Sequence, residues 1–103
     1  MLLVDAQCSI MPDRQNDFMK EVRKIVPLVQ REAGCYRYDL FSDVSVPGVF
    51  HFIEVWESEK HLGDHLGQPH MQEYFAKSAQ WQSSPTKLTR YEILSSQSIT
   101  LDT

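Results

Sequence analysis

The segment from residue 49 to residue 75 changes its hydrophobic period partway along, and this change limits what the chain can fold into. In residues 49–56 the large side chains fall on alternate positions, which is the pattern of a strand buried on one face. From His61 onwards they recur three to five residues apart, which is the spacing of a helix. A strand followed directly by a helix is therefore predicted. Glu54 shares the strand's buried face with three aromatic residues, Phe50, Phe52 and Trp56.

Three other segments show the alternation of strands, and they comprise residues 2–10, 35–43 and 86–94. The sequence Val-Pro-Gly at 46–48 predicts a turn between the second of these segments and the strand at 49–56. Because the connection is short, we expect those two strands to pair as an antiparallel hairpin. The sequence therefore predicts four strands.

A first amphipathic helix is predicted from about Arg14, with apolar side chains at helical spacing and basic side chains on its other side. Pro27 lies inside it and removes one backbone hydrogen bond, so we expect a kink or a short break there. Gly34 is suited to end this helix.

A second helical region is predicted in two pieces. Ser58 reads as the N-cap of a helix over 59–66. The sequence Gly-Gln-Pro at 67–69 interrupts this region, and another helix follows over 70–80.

The order of elements is βαββαβ, which predicts an α+β fold of the ferredoxin-like type. In this fold a four-stranded antiparallel sheet carries its helices on one face. The other face would expose a wide apolar surface, so we expect a homodimer joined through it. The predicted domain covers residues 1–95. Residues 96–103 form a polar tail, in which Ile99 and Leu101 alternate and could add to the edge strand of a partner.

Size and charge exclude several classes of protein. The chain has 103 residues, which suits one domain. Ten basic and fourteen acidic residues give a net charge of −4 without any block of one sign. Nucleic acid and anionic membrane surfaces are therefore not expected partners. The start of the chain is too short and polar for a secretory signal, and no apolar run reaches membrane length. We expect a cytoplasmic protein.

Four short motifs carry a family resemblance, and they are Glu32-Ala33-Gly34-Cys35-Tyr36-Arg37-Tyr38, Phe50-x-Phe52-x-Glu54-x-Trp56, His65-Leu66 and Pro69-His70. With these motifs the chain resembles the antibiotic biosynthesis monooxygenases, which include small quinol monooxygenases and related dimeric α+β barrel proteins. The resemblance implies a sheet in which the first and second strands are separated by the third, so that Cys8 and Cys35 are free thiols.

If the helices cover the face that bears Glu54, aromatic side chains would line a flat cavity suited to a planar ligand. Taken singly, each of these rings is more simply a core residue. Burial would raise the pKa of Glu54 and fit it for proton transfer, or Glu54 would bond a backbone amide of the following helix. The predicted lining residues are Tyr38, Phe50, Phe52, Trp56, Leu66, Tyr74 and Phe75.

Histidine supplies the predicted base. His65 is the best general base in the sequence because imidazole titrates near neutral pH, and the alternative is a satisfied structural histidine. His70 and Tyr38 are predicted to contact the substrate, and His61 to face solvent. Arg90 is expected either to hold a phenolate oxygen or to pair with Glu92 or another nearby carboxylate.

No cofactor is predicted. His61 and His65 have the i, i+4 spacing of metal ligands, but no third ligand is evident and two glycines soften the helix. No glycine-rich phosphate loop supports a flavin or nucleotide site.

These residues favour a cofactor-independent monooxygenase that acts on a quinol or polyphenol with dioxygen. In this hypothesis His65 takes a proton, Glu54 orients or relays, and Trp56 packs the substrate ring. Two alternatives remain open at this point. One is an isomerase of a small phosphorylated signalling sugar, and the other is a dimeric module that binds an aromatic molecule without catalysis. The predicted substrate-binding residues are Trp56, Phe52, Tyr38, His70, Tyr74 and Arg90.

Overall fold

The computed structural model describes residues 1–102 and contains four strands and three α-helices. A single 3₁₀ turn, Pro12–Arg14, precedes the first helix. Among the described residues no helix combines the length and the apolar character needed to cross a membrane. The elements are β1 Leu2–Ser9, α1 Gln15–Gln30, β2 Cys35–Ser42, β3 Val49–Trp56, α2 Glu59–Leu66, α3 Pro69–Ser78 and β4 Lys87–Glu92.

The strands form one antiparallel sheet in the order β2-β3-β1-β4. This confirms the predicted ferredoxin-like α+β fold. Val4 pairs with Glu54 on one side, and Tyr38 pairs with Glu54 on the other. The register therefore places Glu54 in the middle of the sheet, on the face covered by the helices.

The core lies between this face of the sheet and the helices. In β1 and β3 every second side chain is buried, which is the alternation that the sequence shows. Helix α1 contributes the apolar stripe of its buried face, and α2 and α3 add their own apolar side chains. The fully buried residues include Leu2, Val4, Phe18, Val29, Trp56 and Met71.

Helix α1 runs through Pro27 without the predicted break. The residue lies on the exposed side of the helix, where water can bond the carbonyl that lacks its helical partner. The apolar face continues on both sides of Pro27, with Ile25 and Val29 buried. Burial of that face outweighs the one missing hydrogen bond.

The first residues of β2 also depart from the predicted alternation, in which Tyr36 and Tyr38 would share one face. The register shifts between Cys35 and Arg37, so one extra residue is accommodated there. Tyr36 therefore does not share the buried face with Tyr38. It is 59% exposed, and its hydroxyl donates a hydrogen bond to Glu57.

The other face of the sheet carries no helix. Ile53 and Val55 are half-buried on it, and Tyr91 is exposed. Charged groups are also present on this face, because His51 Nδ1 lies 2.9 Å from an oxygen of Asp5. Apolar and charged side chains are thus mixed on the open face.

Both cysteines are free thiols, with Cys8 buried and Cys35 half-buried. Strand β3 lies between the strands that carry them. The expectation that the resemblance gave for the thiols is confirmed.

Gly34 has a φ of +77°, and a Cβ built on it would overlap the ring of His61. We predict that Gly34→Ala lowers the free energy of unfolding by about 3 kcal/mol, through backbone strain and this overlap. The control is Gly63→Ala in α2, where an added Cβ meets no atom within 4 Å. This control should stabilise the protein by up to about 1 kcal/mol, because alanine favours helix more than glycine does. Urea denaturation measures both, and equal effects would contradict the prediction.

Candidate functional site

One carboxylate at the C-terminal end of α1 contacts two imidazoles. Glu32 Oε2 lies 3.0 Å from His65 Nδ1 and 2.9 Å from His70 Nε2. His65 is in the last turn of α2, and His70 is in the first turn of α3. Glu32 therefore joins the ends of all three helices.

The hydrogen bonds define the tautomers of the two rings. A carboxylate only accepts hydrogen bonds, so His65 carries a hydrogen on Nδ1 and His70 carries one on Nε2. In the neutral imidazoles the opposite nitrogens, His65 Nε2 and His70 Nδ1, are then free to take up a proton. No described residue forms a hydrogen bond to His70 Nδ1.

His65 also faces a second carboxyl group. Its Nε2 lies 3.9 Å from Glu54 Oε1, and that oxygen accepts a 2.9 Å hydrogen bond from the indole N–H of Trp56. The partner of Glu54 is thus a side chain of its own strand rather than a backbone amide of the next helix. His65 is 1% exposed and Glu54 5% exposed. The four side chains of Glu32, Glu54, Trp56 and His65 are called the buried cluster below.

Burial shifts both titrating groups towards their neutral forms. Desolvation raises the pKa of Glu54 from 4.5 to about 7, and the charge of Glu32 adds to the increase while the Trp56 hydrogen bond opposes it. Desolvation also lowers the pKa of His65, against the hydrogen bond that its Nδ1–H donates to Glu32. With a pKa of about 7, Glu54 can hold or release its proton near neutral pH, beside an imidazole that burial favours in its unprotonated form.

Aromatic rings fill the space between β3 and the helices. The ring centres of Trp56 and His65 are 4.5 Å apart, those of Tyr38 and Phe52 are 5.4 Å apart, and those of Phe52 and Tyr74 are 6.2 Å apart. All five side chains are at most 5% exposed. The sequence predicts that these rings line a flat cavity, but they pack against one another instead. Contact between the rings removes more apolar surface from water than an open cavity would.

Two further predicted lining residues lie at the edge of the ring cluster. Leu66 is 37% exposed and Phe75 is 38% exposed. Leu66 is the last residue of α2, and Phe75 lies within α3 next to the buried Tyr74. The prediction that they line an enclosed cavity is therefore wrong for this structure.

An open cleft of about 670 Å³ adjoins the buried cluster, between the end of α1 and the junction of α2 with α3. Glu32 and His70 belong both to this cleft and to the hydrogen-bonded network. The cleft is mainly polar. Its lining includes Leu28, Arg31, Glu32, Asp64, Gln68 and His70.

The structure places Arg90 away from the buried cluster. Its guanidinium pairs with Glu59 at the N-terminus of α2, and both side chains are exposed. This corresponds to the ion pair that was the alternative to oxyanion binding, although the partner is Glu59 rather than Glu92.

His61 and His65 turn towards different partners. His61 Nδ1 lies 2.7 Å from the hydroxyl of Ser58, and its Nε2 lies 3.2 Å from Glu57. Its side chain is only 24% exposed, so it faces solvent less than predicted. Within residues 1–102 no three His, Cys, Asp or Glu side chains are arranged to hold a metal ion.

Glu32 is the residue that sequence reasoning missed. It is part of the motif that carries the family resemblance, but 33 positions separate it from His65 and no periodicity connects them. The available signal was its place in that motif, directly before Ala33 and Gly34.

The fold and the site together define the class of protein: a small ferredoxin-like α+β domain with a buried imidazole and carboxyl group beside aromatic rings. The model of the family "Antibiotic biosynthesis monooxygenase" matches residues 1–77. The chain belongs to this family.

Individual relatives agree with this assignment. The chain is 28% identical over 93 residues to "Putative monooxygenase YcnE" of Bacillus subtilis, covering 90% of this chain and 98% of that protein. It is 37% identical over 84 residues to "Probable quinol monooxygenase YgiN" of Escherichia coli K12, covering 72% of this chain and 81% of that protein. The solved structure of Rv0793 from Mycobacterium tuberculosis superposes with a TM-score of 0.87 at 25% identity, covering 94% and 98% of the two chains. These matches support an oxidoreductase activity of the monooxygenase type.

The pH dependence of stability tests the protonation of Glu54. The folded state keeps this proton up to about pH 7, whereas the unfolded chain loses it near pH 4.5. The contribution of Glu54 to the unfolding free energy should therefore fall by about 3 kcal/mol as pH rises from 4.5 to 7. Glu54→Gln keeps an acceptor for Trp56 and should lack this decline.

The measurement is the difference in unfolding free energy between wild type and variant at pH 4.5 and pH 8. Glu57→Gln is the control, because it makes the same change at an exposed carboxylate. A difference that is constant with pH for Glu54→Gln would show that Glu54 is ionised in the folded protein.

Proposed function

We propose that the protein is a cofactor-independent monooxygenase whose substrate is a quinol or another polyphenol. One observation carries the proposal. The imidazole of His65 and the carboxyl group of Glu54 lie 3.9 Å apart and are both buried beside aromatic rings. Burial shifts the pKa of each group towards its neutral form. Such a pair can accept one proton and supply another at neutral pH.

The reaction needs both functions. A quinol that loses a hydroxyl proton becomes an electron-rich anion that can pass an electron to dioxygen. In the complete reaction hydroquinone and dioxygen give hydroxyquinone and water. The quinol supplies all four electrons, one oxygen atom is bonded to the ring, and the other leaves as water after protonation. The protein has to take a proton first and return protons later.

The buried cluster suits these steps. The substrate proton is taken up by the cluster, in which His65 is the base because Glu32 holds its Nδ1–H and leaves Nε2 free. Glu54 is the acid that protonates the departing oxygen. The Trp56 indole holds Glu54 in place through its hydrogen bond. An acid and a base can work side by side in this way when their surroundings move their pKa values in opposite directions.

We also propose that two chains join through the open face of the sheet. Ile53, Val55 and Tyr91 leave apolar surface there that a second copy would cover. A dimer would also bury the back of β3, the strand that carries Glu54 and Trp56. The buried cluster would then be supported on both faces of the sheet.

Oxygen uptake tests the proposed activity. The purified protein, treated with a chelator, is assayed with a panel of quinols and polyphenols in an oxygen electrode. We expect uptake that depends on both protein and phenol, and a hydroxylated quinone as product. His65→Gln should lower kcat by about 100-fold, the usual contribution of a general base. Glu57→Gln should leave kcat unchanged, since that carboxylate is exposed and outside the cluster.

Two outcomes contradict this proposal. If His65→Gln retains full turnover, His65 is not the base. If a phenol binds but no oxygen is consumed with any member of the panel, the protein is a binding module rather than a monooxygenase.

The dimer is tested separately by light scattering coupled to size-exclusion chromatography. Wild type should elute with twice the 12.0 kDa mass of the chain. Ile53→Asp adds a charge on the open face, where its strand neighbours are Asp5 and Asp39, and should shift the protein to a monomer. Lys60→Gln, on the outer surface of α2, should remain dimeric. A monomeric wild type would refute the proposed interface.

A further inference from the structure

The buried cluster has a connection to solvent. His70 is bonded through Nε2 to Glu32, yet 22% of its side chain is exposed and it lines the cleft at the junction of α2 with α3. Glu32 is 9% exposed by its side chain, and His65 behind it is 1% exposed. Exposure therefore falls stepwise from His70 through Glu32 to His65.

A ligand in the cleft meets His70 first. The rings around His65 are packed against one another, so a substrate cannot touch His65 Nε2 without separating them. His70 Nδ1 has no hydrogen-bond partner among the described residues. It is the nitrogen of the network that a ligand can reach without displacing a buried ring.

We propose that the cleft is the substrate-binding site, and that His70 takes the phenolic proton there and passes one to Glu32. This inference rests on the proposed monooxygenase function and moves its proton chemistry to a site outside the ring cluster. In the cleft His70 and Glu32, rather than His65 and Glu54, take and return the proton, and His65 holds Glu32 in place through its Nδ1–H. His70 then acts as a catalytic residue, and Glu32 both fixes its tautomer through the 2.9 Å hydrogen bond and accepts the proton that Nε2 releases.

The transfer balances without any further reactant. The substrate O–H bond breaks, and its proton forms an N–H bond at His70 Nδ1. The N–H bond at His70 Nε2 breaks, and that proton forms an O–H bond at Glu32 Oε2 over the existing 2.9 Å hydrogen bond. His70 is again neutral, and the negative charge of Glu32 has moved to the substrate oxygen. The second oxygen of Glu32, 3.2 Å from His65 Nδ1, still accepts the hydrogen of that ring.

The lining of the cleft indicates the class of phenol. Arg31, Asp64 and Gln68 are polar, and Asp64 is neutralised by Lys60 at 2.9 Å. Arg31 forms no ion pair with a described residue, so its charge is available to an anionic group. A volume of about 670 Å³ is large enough to accommodate a ring with polar substituents. The site therefore fits a small polyphenol bearing a carboxylate better than a quinol with a long apolar tail.

Steady-state kinetics test the relay. Glu32→Gln keeps the shape of the side chain and removes its charge, and His70→Ala opens space in the cleft. With 3,4-dihydroxybenzoate as the probe we expect each variant to lower kcat by about 100-fold while KM changes less than about threefold. Added imidazole should restore part of the activity of His70→Ala, because the vacated space opens to solvent. Glu57→Gln is the matched control for the Glu-to-Gln change.

Rescue of His70→Ala by imidazole distinguishes a catalytic role of His70 from a purely structural one. A residue needed only for folding would not be replaced by imidazole in solution. If imidazole fails to restore His70→Ala while the variant has the thermal stability of wild type, the relay is wrong. Turnover of Glu32→Gln at the wild-type rate would overturn it as well.

Binding under nitrogen distinguishes failure of this inference from failure of the proposed function. Addition of 3,4-dihydroxybenzoate should shift the amide NMR signals of Gly63 and Gly67, which line the cleft. Arg31→Gln should raise the dissociation constant about tenfold for this probe but not for hydroquinone. Shifts confined to residues of the ring cluster would refute the cleft and leave the monooxygenase proposal intact. Cleft binding without any oxygen uptake would refute the monooxygenase and keep the cleft as a ligand site.

Discussion

A single carboxylate, Glu32, determines how the helices meet. It follows α1 and accepts hydrogen bonds from His65 at the end of α2 and from His70 at the start of α3. A largely buried carboxylate without such donors would be strongly unfavourable, and the buried imidazole of His65 would lose the acceptor of its Nδ1–H. The three groups satisfy one another, so the position of each helix end depends on the other two. The rest of the site, including the contact of His65 with Glu54, follows from this arrangement.

Much of the fold could be predicted from periodicity, because the sheet buries alternate residues and α1 buries a regular stripe. The two helices after β3 and the cap at Ser58 were predicted close to their observed bounds. The errors have local causes. Burial of Ile25 and Val29 keeps α1 unbroken through Pro27, and an extra residue after Cys35 turns Tyr36 outward. Neither the packing of α1 around Pro27 nor the bulge after Cys35 changes the hydrophobic periodicity of the sequence, so periodicity cannot predict them.

The candidate site was predictable only in part. Glu54 and His65 were identified because one lies among rings on a strand and the other on the helix facing it, and the structure brings them together. The close packing of the aromatic rings was not predictable. Alternation shows which side chains point inward, but it does not show whether a cavity remains between them. Glu32 and the cleft arise from the meeting of three helix ends that are far apart in sequence. Such a meeting is a property of tertiary packing.

Gly34 links these observations to the geometry of the chemistry. Its lack of a side chain allows the ring of His61 to lie directly against the backbone, and the carbonyl of Gly34 accepts a 2.8 Å hydrogen bond from Glu57 just before α2. Helix α2 can therefore lie against the loop after α1, because Gly34 carries only a hydrogen atom where another residue would carry a Cβ. Any larger group at this position would act as a spacer between the two segments that carry His65 and Glu32. The distance between His65 and Glu32 thus depends on the absence of a side chain at Gly34, a residue outside the hydrogen-bonded network.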